Sequence, residues 1–216
     1  MNANRIPHRT LAVLLLALAA GASHARRPVV ADDPMPDGWL CCNMRVSHHS
    51  MDDINYRWEG AETVPLGTRA TVYGYLPRRV QVVLGGVQME LANDYSRSLS
   101  LPDYAKRFVV ATNPADRLAT FPAPIRQSIA ASKLRIGMTR EQVFMSLGMP
   151  IVSYNADDHA KMLRYWTDFS HEFQLTFEED GLVRVTSDEG TRRVVLDEDV
   201  AATPATAATA ASTPKP

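Results

Sequence analysis

A chain of 216 residues, 45% of them hydrophobic and 22% charged, carries enough apolar matter for a buried core. Its formal net charge is −1, from 23 basic and 24 acidic side chains. Phosphate binding draws on a basic surface, so this balance argues against nucleic acid as a partner.

The first element reads as a secretory signal. Arg5, His8 and Arg9 precede the apolar run of residues 11–20, and Ser23-His24-Ala25 puts small residues at the two positions a signal peptidase reads. Ten apolar residues fall well short of the roughly 20 that a membrane-spanning helix needs, so residues 1–25 are expected to be cleaved after Ala25. Cleavage removes Arg5 and Arg9 and no acid, which moves the formal charge from −1 to −3 over 191 residues. A lipoprotein needs a Cys at the cleavage point, and the nearest, Cys41 and Cys42, lie well beyond it. The mature chain is therefore expected to be soluble, with no transmembrane span and no lipid anchor. It would sit in the periplasm or at the inner face of the outer membrane, where lipid contact stays open.

Residues 26–60 read as a partly ordered N-terminal extension. They hold the one set of candidate metal ligands, Cys41, Cys42, His48 and His49, with Met44 and Met51 close by: soft donors suited to copper or zinc. Adjacent cysteines lack the usual bridge geometry, so these two are expected as thiols. Their spacing matches no zinc motif, and the plainer reading is a buried strand of small apolar thiols followed by a polar loop.

Residues 61–112 read as a small β domain. Val64-Pro65-Leu66-Gly67-Thr68 is a strand-entry turn, and residues 69–75 are rich in Thr, Val and Tyr, which suit a half-buried strand. Val80, Val82 and Leu84 alternate up to Gly85-Gly86, and Val87, Met89 and Leu91 alternate away, which is a hairpin. A two-residue turn pairs Leu84 with Val87, Val82 with Met89 and Val80 with Leu91, with all six on one face and Gln81, Gln88 and Glu90 turned outward. The order of turn, strand and hairpin is similar to the small SH3-like barrels of bacterial envelope proteins.

Residues 113–196 read as two helices and three strands. Ile125 and Ile129 lie one helical turn apart after Pro122-Ala123-Pro124. Thr139 and Gln142 form a capping box for a second helix with Val143, Phe144 and Leu147 as its buried stripe, stopped by Gly148 and Pro150. Alternation then runs through Leu163, Tyr165, Thr167 and Phe169, through Phe173, Leu175 and Phe177, and through Val183 and Val185, for three antiparallel strands. A three-residue loop with Gly181 left-handed pairs Phe177 with Val183 and Leu175 with Val185. Beyond Asp197-Glu198-Asp199 the chain is almost wholly Ala, Thr and Pro, so residues 197–216 are expected to be a disordered tail.

Ile136-Gly137-Met138-Thr139-Arg140-Glu141-Gln142-Val143, Leu147-Gly148-Met149-Pro150 and Arg164-Tyr165-Trp166, in that order, resemble the BamE family, also called SmpA/OmlA, over about residues 120–187. The resemblance implies a self-contained two-helix, three-strand module that helps assemble β-barrel proteins at the outer membrane through contacts with partner subunits. The chain departs from that pattern in lacking the lipidated Cys and in its added N-terminal β unit and tail. The architecture is also similar to β-lactamase-inhibitor domains, which act as binding surfaces.

The sequence holds no nucleophile elbow, phosphate loop, dinucleotide fingerprint, paired-His zinc helix or thiol-exchange motif. Asp168, Ser170 and His171 are the residue types of a hydrolytic triad, but they lie within one tight hairpin, whereas triad partners converge from separate segments. No catalytic residue and no cofactor is therefore expected. Arg164 and Trp166 alternate away from Leu163 and Tyr165, so they either face a partner or cover the contact between the two halves of the chain. The expected function is a non-enzymatic α+β envelope protein of the interaction or assembly type, with envelope or outer-membrane proteins as partners. Metal or thiol handling at the Cys41/Cys42/His48/His49 set, or inhibitor-like binding, is the alternative.

Overall fold

A computed structural model describes residues 34–197. The expected signal sequence and the tail from residue 198 lie outside the described residues. The fold is mixed α+β: a curled N-terminal sheet and a small C-terminal helix and three-strand module.

The sheet is built from β1 (Asp37–Leu40), β2 (Met44–Ser47), β3 (Ser50–Asp52), β4 (Glu62–Val64), β5 (Arg69–Leu76), β6 (Arg79–Leu84), β7 (Val87–Ala92) and β8 (Val109–Val110). Their order is β4-β2-β3-β7-β6-β5-β1-β8, so β4 and β8 are the edges. The Gly85-Gly86 hairpin has the expected register, Leu84 on Val87, Val82 on Met89 and Val80 on Leu91. Its base is buried, while Val87 at the tip is 45% exposed. Within the expected N-terminal extension, residues 34–60 join the sheet, because β1 pairs with β5 and β3 runs parallel to β7.

The expected β unit also contains a helix, α1 (Leu101–Phe108), entered through Ser100, whose hydroxyl accepts from the Asp103 amide. Tyr104, Ala105 and Phe108 close the core of the curled sheet, and the Tyr104 hydroxyl donates to the Ala92 carbonyl at 2.5 Å.

After α2 (Pro114–Ala119) come α3 (Ala123–Ala130) and α4 (Arg140–Leu147), then β9 (Met162–Trp166), β10 (Glu172–Glu178), β11 (Gly181–Thr186) and α5 (Glu189–Val195). The capping box forms as expected: Thr139 accepts from the Gln142 amide and the Gln142 side chain accepts from the Thr139 amide. The last hairpin differs from expectation. Leu175 does face Val185, but Phe177 pairs with Leu182, and a bulge there leaves Val183 as the extra residue, 40% exposed. The left-handed position in that turn is taken by Glu179, at φ 56°, rather than by Gly181. The fold also reaches one residue past Leu196: Arg135 Nη2 pairs with Asp197 at 2.7 Å, so Asp197 belongs to the body and not to the tail.

The two halves form one body. Leu66, from the turn before β5, is buried in the C-terminal core beside Met138, Val143 and Leu163. Two buried asparagines stitch the seam. Asn43 Nδ2 donates to the Ile129 carbonyl at 2.6 Å and its Oδ1 accepts from the Leu66 amide at 3.0 Å. Asn55 Nδ2 donates to the Leu147 carbonyl at 2.6 Å, and its Oδ1 accepts from the Arg45 amide at 2.7 Å. Ile129 and Leu147 sit in the last turns of α3 and α4, where carbonyls have no partner within their own helix. The N-terminal half therefore supplies a partner to the Leu147 carbonyl at the end of α4 and a second one to the Ile129 carbonyl, which also accepts from the Ser132 amide at 2.8 Å.

Candidate functional site

Cys41 and Cys42 are bonded to each other, which corrects the expectation of two thiols. The peptide between them sets their α-carbons 3.8 Å apart, and the sulfurs meet across it. His48 and His49 sit on the turn from β2 to β3, both with positive φ and both exposed, on the wall of another cavity. Among the described residues, no three His, Cys, Asp or Glu side chains come together in a group fit to hold a metal.

Asp168, Ser170 and His171 form a polar turn. The Asp168 carboxylate accepts from the Ser170 hydroxyl at 3.0 Å and lies 2.8 Å from His171 Nδ1. Ser170 Oγ is 3.4 Å from that same nitrogen. In a triad the acid and the serine take opposite nitrogens of the imidazole, and here both approach Nδ1. The Ser170 amide and then His171 hold the Asp168 carboxyl down to about 2, and hydrogen bonding to Asp168 raises the His171 imidazole.

Arg164 and Trp166 are half-buried and do two jobs. Trp166 packs on the seam cluster of Ile54, Tyr56 and Ile151, so it covers the contact between the halves. Its ring also lies tilted against Tyr154 at 5.0 Å, with the Arg164 guanidinium 5.0 Å from Tyr154 and 5.3 Å from Trp166. Glu172 holds that guanidinium through a bond of 2.9 Å to Nε. This pairing raises Arg164 and lowers Glu172.

The same seam carries Tyr56 and Trp58, which the alternation pattern did not single out, and Phe169, which it placed on a strand. Tyr56 is buried, and both Trp58 and Phe169 lie edge-on against it, at 5.2 and 5.1 Å, and 5.0 Å from each other. Trp58 is 41% exposed, Tyr154 52% and Phe169 70%. Phe169 was expected to continue an inward-facing strand, but β9 ends at Trp166 and Phe169 stands on the tip of the following turn. The signal was present in its neighbours, because Asp168 and Ser170 are turn formers and Trp58 is flanked by Arg57, Glu59 and Gly60. Behind the ridge, Asp53 is buried and accepts from the Ser96 amide at 2.7 Å. Burial, and then the neighbouring Asp52, push its carboxyl up to about 8. Burial and Tyr95 raise the Tyr56 phenol.

Fold and site together define an α+β body with an exposed aromatic surface built from both halves. No protein-family model matches the chain, and no curated protein or solved structure matches it either. No helix among the described residues is long and apolar enough to cross a membrane.

Proposed function

We propose that this chain is a non-enzymatic interaction or assembly protein of the cell envelope, with a BamE-like C-terminal module and a protein partner seated on the aromatic surface at the seam. The observation that carries the reading is the exposure of Trp58, Tyr154 and Phe169 on a buried base, beside Arg164. Exposed apolar side chains gathered in one place mark interaction surfaces, and Trp, Tyr and Arg dominate binding energy where interfaces have been dissected. A rigid base reduces the ordering cost of association. The β5–β6–β7 meander flanked by β1 and β3 supports reading the N-terminal half as an SH3-like unit, a second common interaction scaffold.

The test is photo-crosslinking in intact cells from positions 169 and 154, with position 87 as an exposed apolar control at the sheet's hairpin tip. The expected result is one envelope protein captured from 169 and 154 but not from 87, and lost with Trp58→Ala. Equal capture from position 87, or none from the ridge, overturns the surface. A genuine turnover rate abolished by one substitution overturns the non-enzymatic reading.

A further inference from the structure

A cavity of about 400 Å³ opens where the β1–β2 connection, the β8–α2 connection and α4 meet, away from the aromatic ridge, none of whose residues line it. Its lining is rich in sulfur. The bonded pair Cys41–Cys42 and the thioethers of Met145 and Met149 are joined by Phe144 and Val110. The walls are fixed from both sides of the disulfide: the Cys41 amide donates to the Phe108 carbonyl at 2.8 Å, and the Asn43 amide donates to the Met145 carbonyl at 2.9 Å. Arg140, which also lines the cavity, is only 6% exposed. Its Nε lies 3.5 Å from Asp180, its Nη1 donates to the Asp158 carbonyl at 3.2 Å, and its guanidinium lies 4.1 Å over the Phe177 ring. The cation is therefore held in place before any ligand arrives.

Size and lining select a ligand class. Ligand cavities run from about 300 to 1,000 Å³, and a cavity of roughly 150 Å³ already holds a benzene ring, so this one has room for a fused pair of rings. Polarisable sulfur interacts favourably with the edge of an aromatic ring, a preference that a wall of purely aliphatic side chains would not supply. The polar side chains of the lining are Arg140, Glu141, His159 and Asp180, against a wall of sulfur and apolar groups, so a ligand that lays its rings on the sulfurs needs one polar atom to meet the Arg140 guanidinium. We propose that this cavity binds a planar two-ring aromatic molecule bearing a single oxygen, with the rings against the sulfur-lined wall and the oxygen toward Arg140. This site is independent of the function proposed above, and each stands or falls alone.

The experiment uses the whole protein with its methionine methyls labelled with carbon-13, titrated with 2-naphthol and, separately, with decanoate as an aliphatic chain. The expected result is saturable shifts of the Met145 and Met149 methyls with a Kd of roughly 0.1–1 mM, while the Met51 and Met89 methyls stay still. Decanoate binds at least tenfold more weakly. Val110→Trp, which fills the cavity from edge strand β8, weakens naphthol binding about tenfold or more, and Trp58→Ala on the ridge leaves it unchanged. Should Val110→Trp disturb the Met51 and Met89 signals and so the fold, Glu141→Trp blocks the cavity from an exposed position on α4. Silence at Met145 and Met149, decanoate binding as tight as naphthol, or undiminished binding in the blocked variants each overturns the site.

Discussion

Asn55 shows how much of the fold hangs on single side chains. It is 6% exposed and its amide reaches the carbonyls of Asn43 and Leu147 and the amide of Arg45. Asn55→Ala removes these bonds and leaves buried backbone groups unpaired, which costs about 2–4 kcal/mol. A denaturant titration measures this, and a loss below about 1 kcal/mol would show that water replaces the side chain. Nothing in Ile54-Asn55-Tyr56 marks the residue beforehand, because its partners lie up to 92 positions away. Asp53 is the other residue of this kind. With its carboxyl pushed up to about 8 from an ordinary 3.8, the folded state holds a proton that the unfolded chain releases. The stability this contributes is full below about pH 4, falls as pH rises, and is gone above about pH 8, with a slope of at most about 1.4 kcal/mol per unit. Asp53→Asn keeps an acceptor for the Ser96 amide and removes the charge, so it should flatten the slope between pH 4 and 8. A variant with the wild-type slope would assign that proton elsewhere.

At the scale of elements, the hairpin of residues 79–92 and the capping box of α4 were legible because each is specified by neighbours in the chain. Alternation fixes the register of one, and a spacing of three fixes the other. The β10–β11 hairpin was only half legible. Leu182 and Val183 are both apolar, and a bulge absorbs one residue, so periodicity alone cannot choose which faces the core. The structure turns Leu182 inward and Val183 outward, so Val183→Thr should change stability by less than about 0.5 kcal/mol, and Leu182→Ala should cost about 2–4 kcal/mol. Near-equal costs by thermal unfolding would contradict that register. The end of α4 joins this scale to the next. Gly148 sits at φ 90°, where a β-carbon would lie 3.0 Å from Asn55 Nδ2. Gly148→Ala thus brings backbone strain and a clash at the seam, and should cost about 1–3 kcal/mol by the same assay.

At the scale of the whole molecule, the sequence divides the chain into a β unit and a C-terminal helix and three-strand module, a division the fold keeps, but it leaves open how the two halves meet. Patterns local to residues 113–196 reveal helices and strands but cannot show that their ends are completed from outside. The Leu147 carbonyl takes its partner from Asn55, the Ile129 carbonyl adds the Asn43 side chain to the Ser132 amide it already accepts, the Met145 carbonyl takes the Asn43 amide, and Leu66 fills part of the C-terminal core. Arg107 adds an ion pair of 2.8 Å to Asp158 across the same seam. A fragment of residues 113–197 loses every one of these contacts with the N-terminal half at once. Its core opens where Leu66 stood, and the apolar faces of Trp166 and Ile151 lose their cover of Ile54 and Tyr56. A module of this size buries too small a core to absorb such a loss. Expressed alone, the fragment should give a poorly dispersed amide spectrum and bind a hydrophobic dye, whereas the full chain unfolds in one transition seen alike by far-ultraviolet dichroism and tryptophan emission. A well-dispersed fragment spectrum, or two separate transitions in the full chain, would show that the seam is an accessory contact and not part of the core.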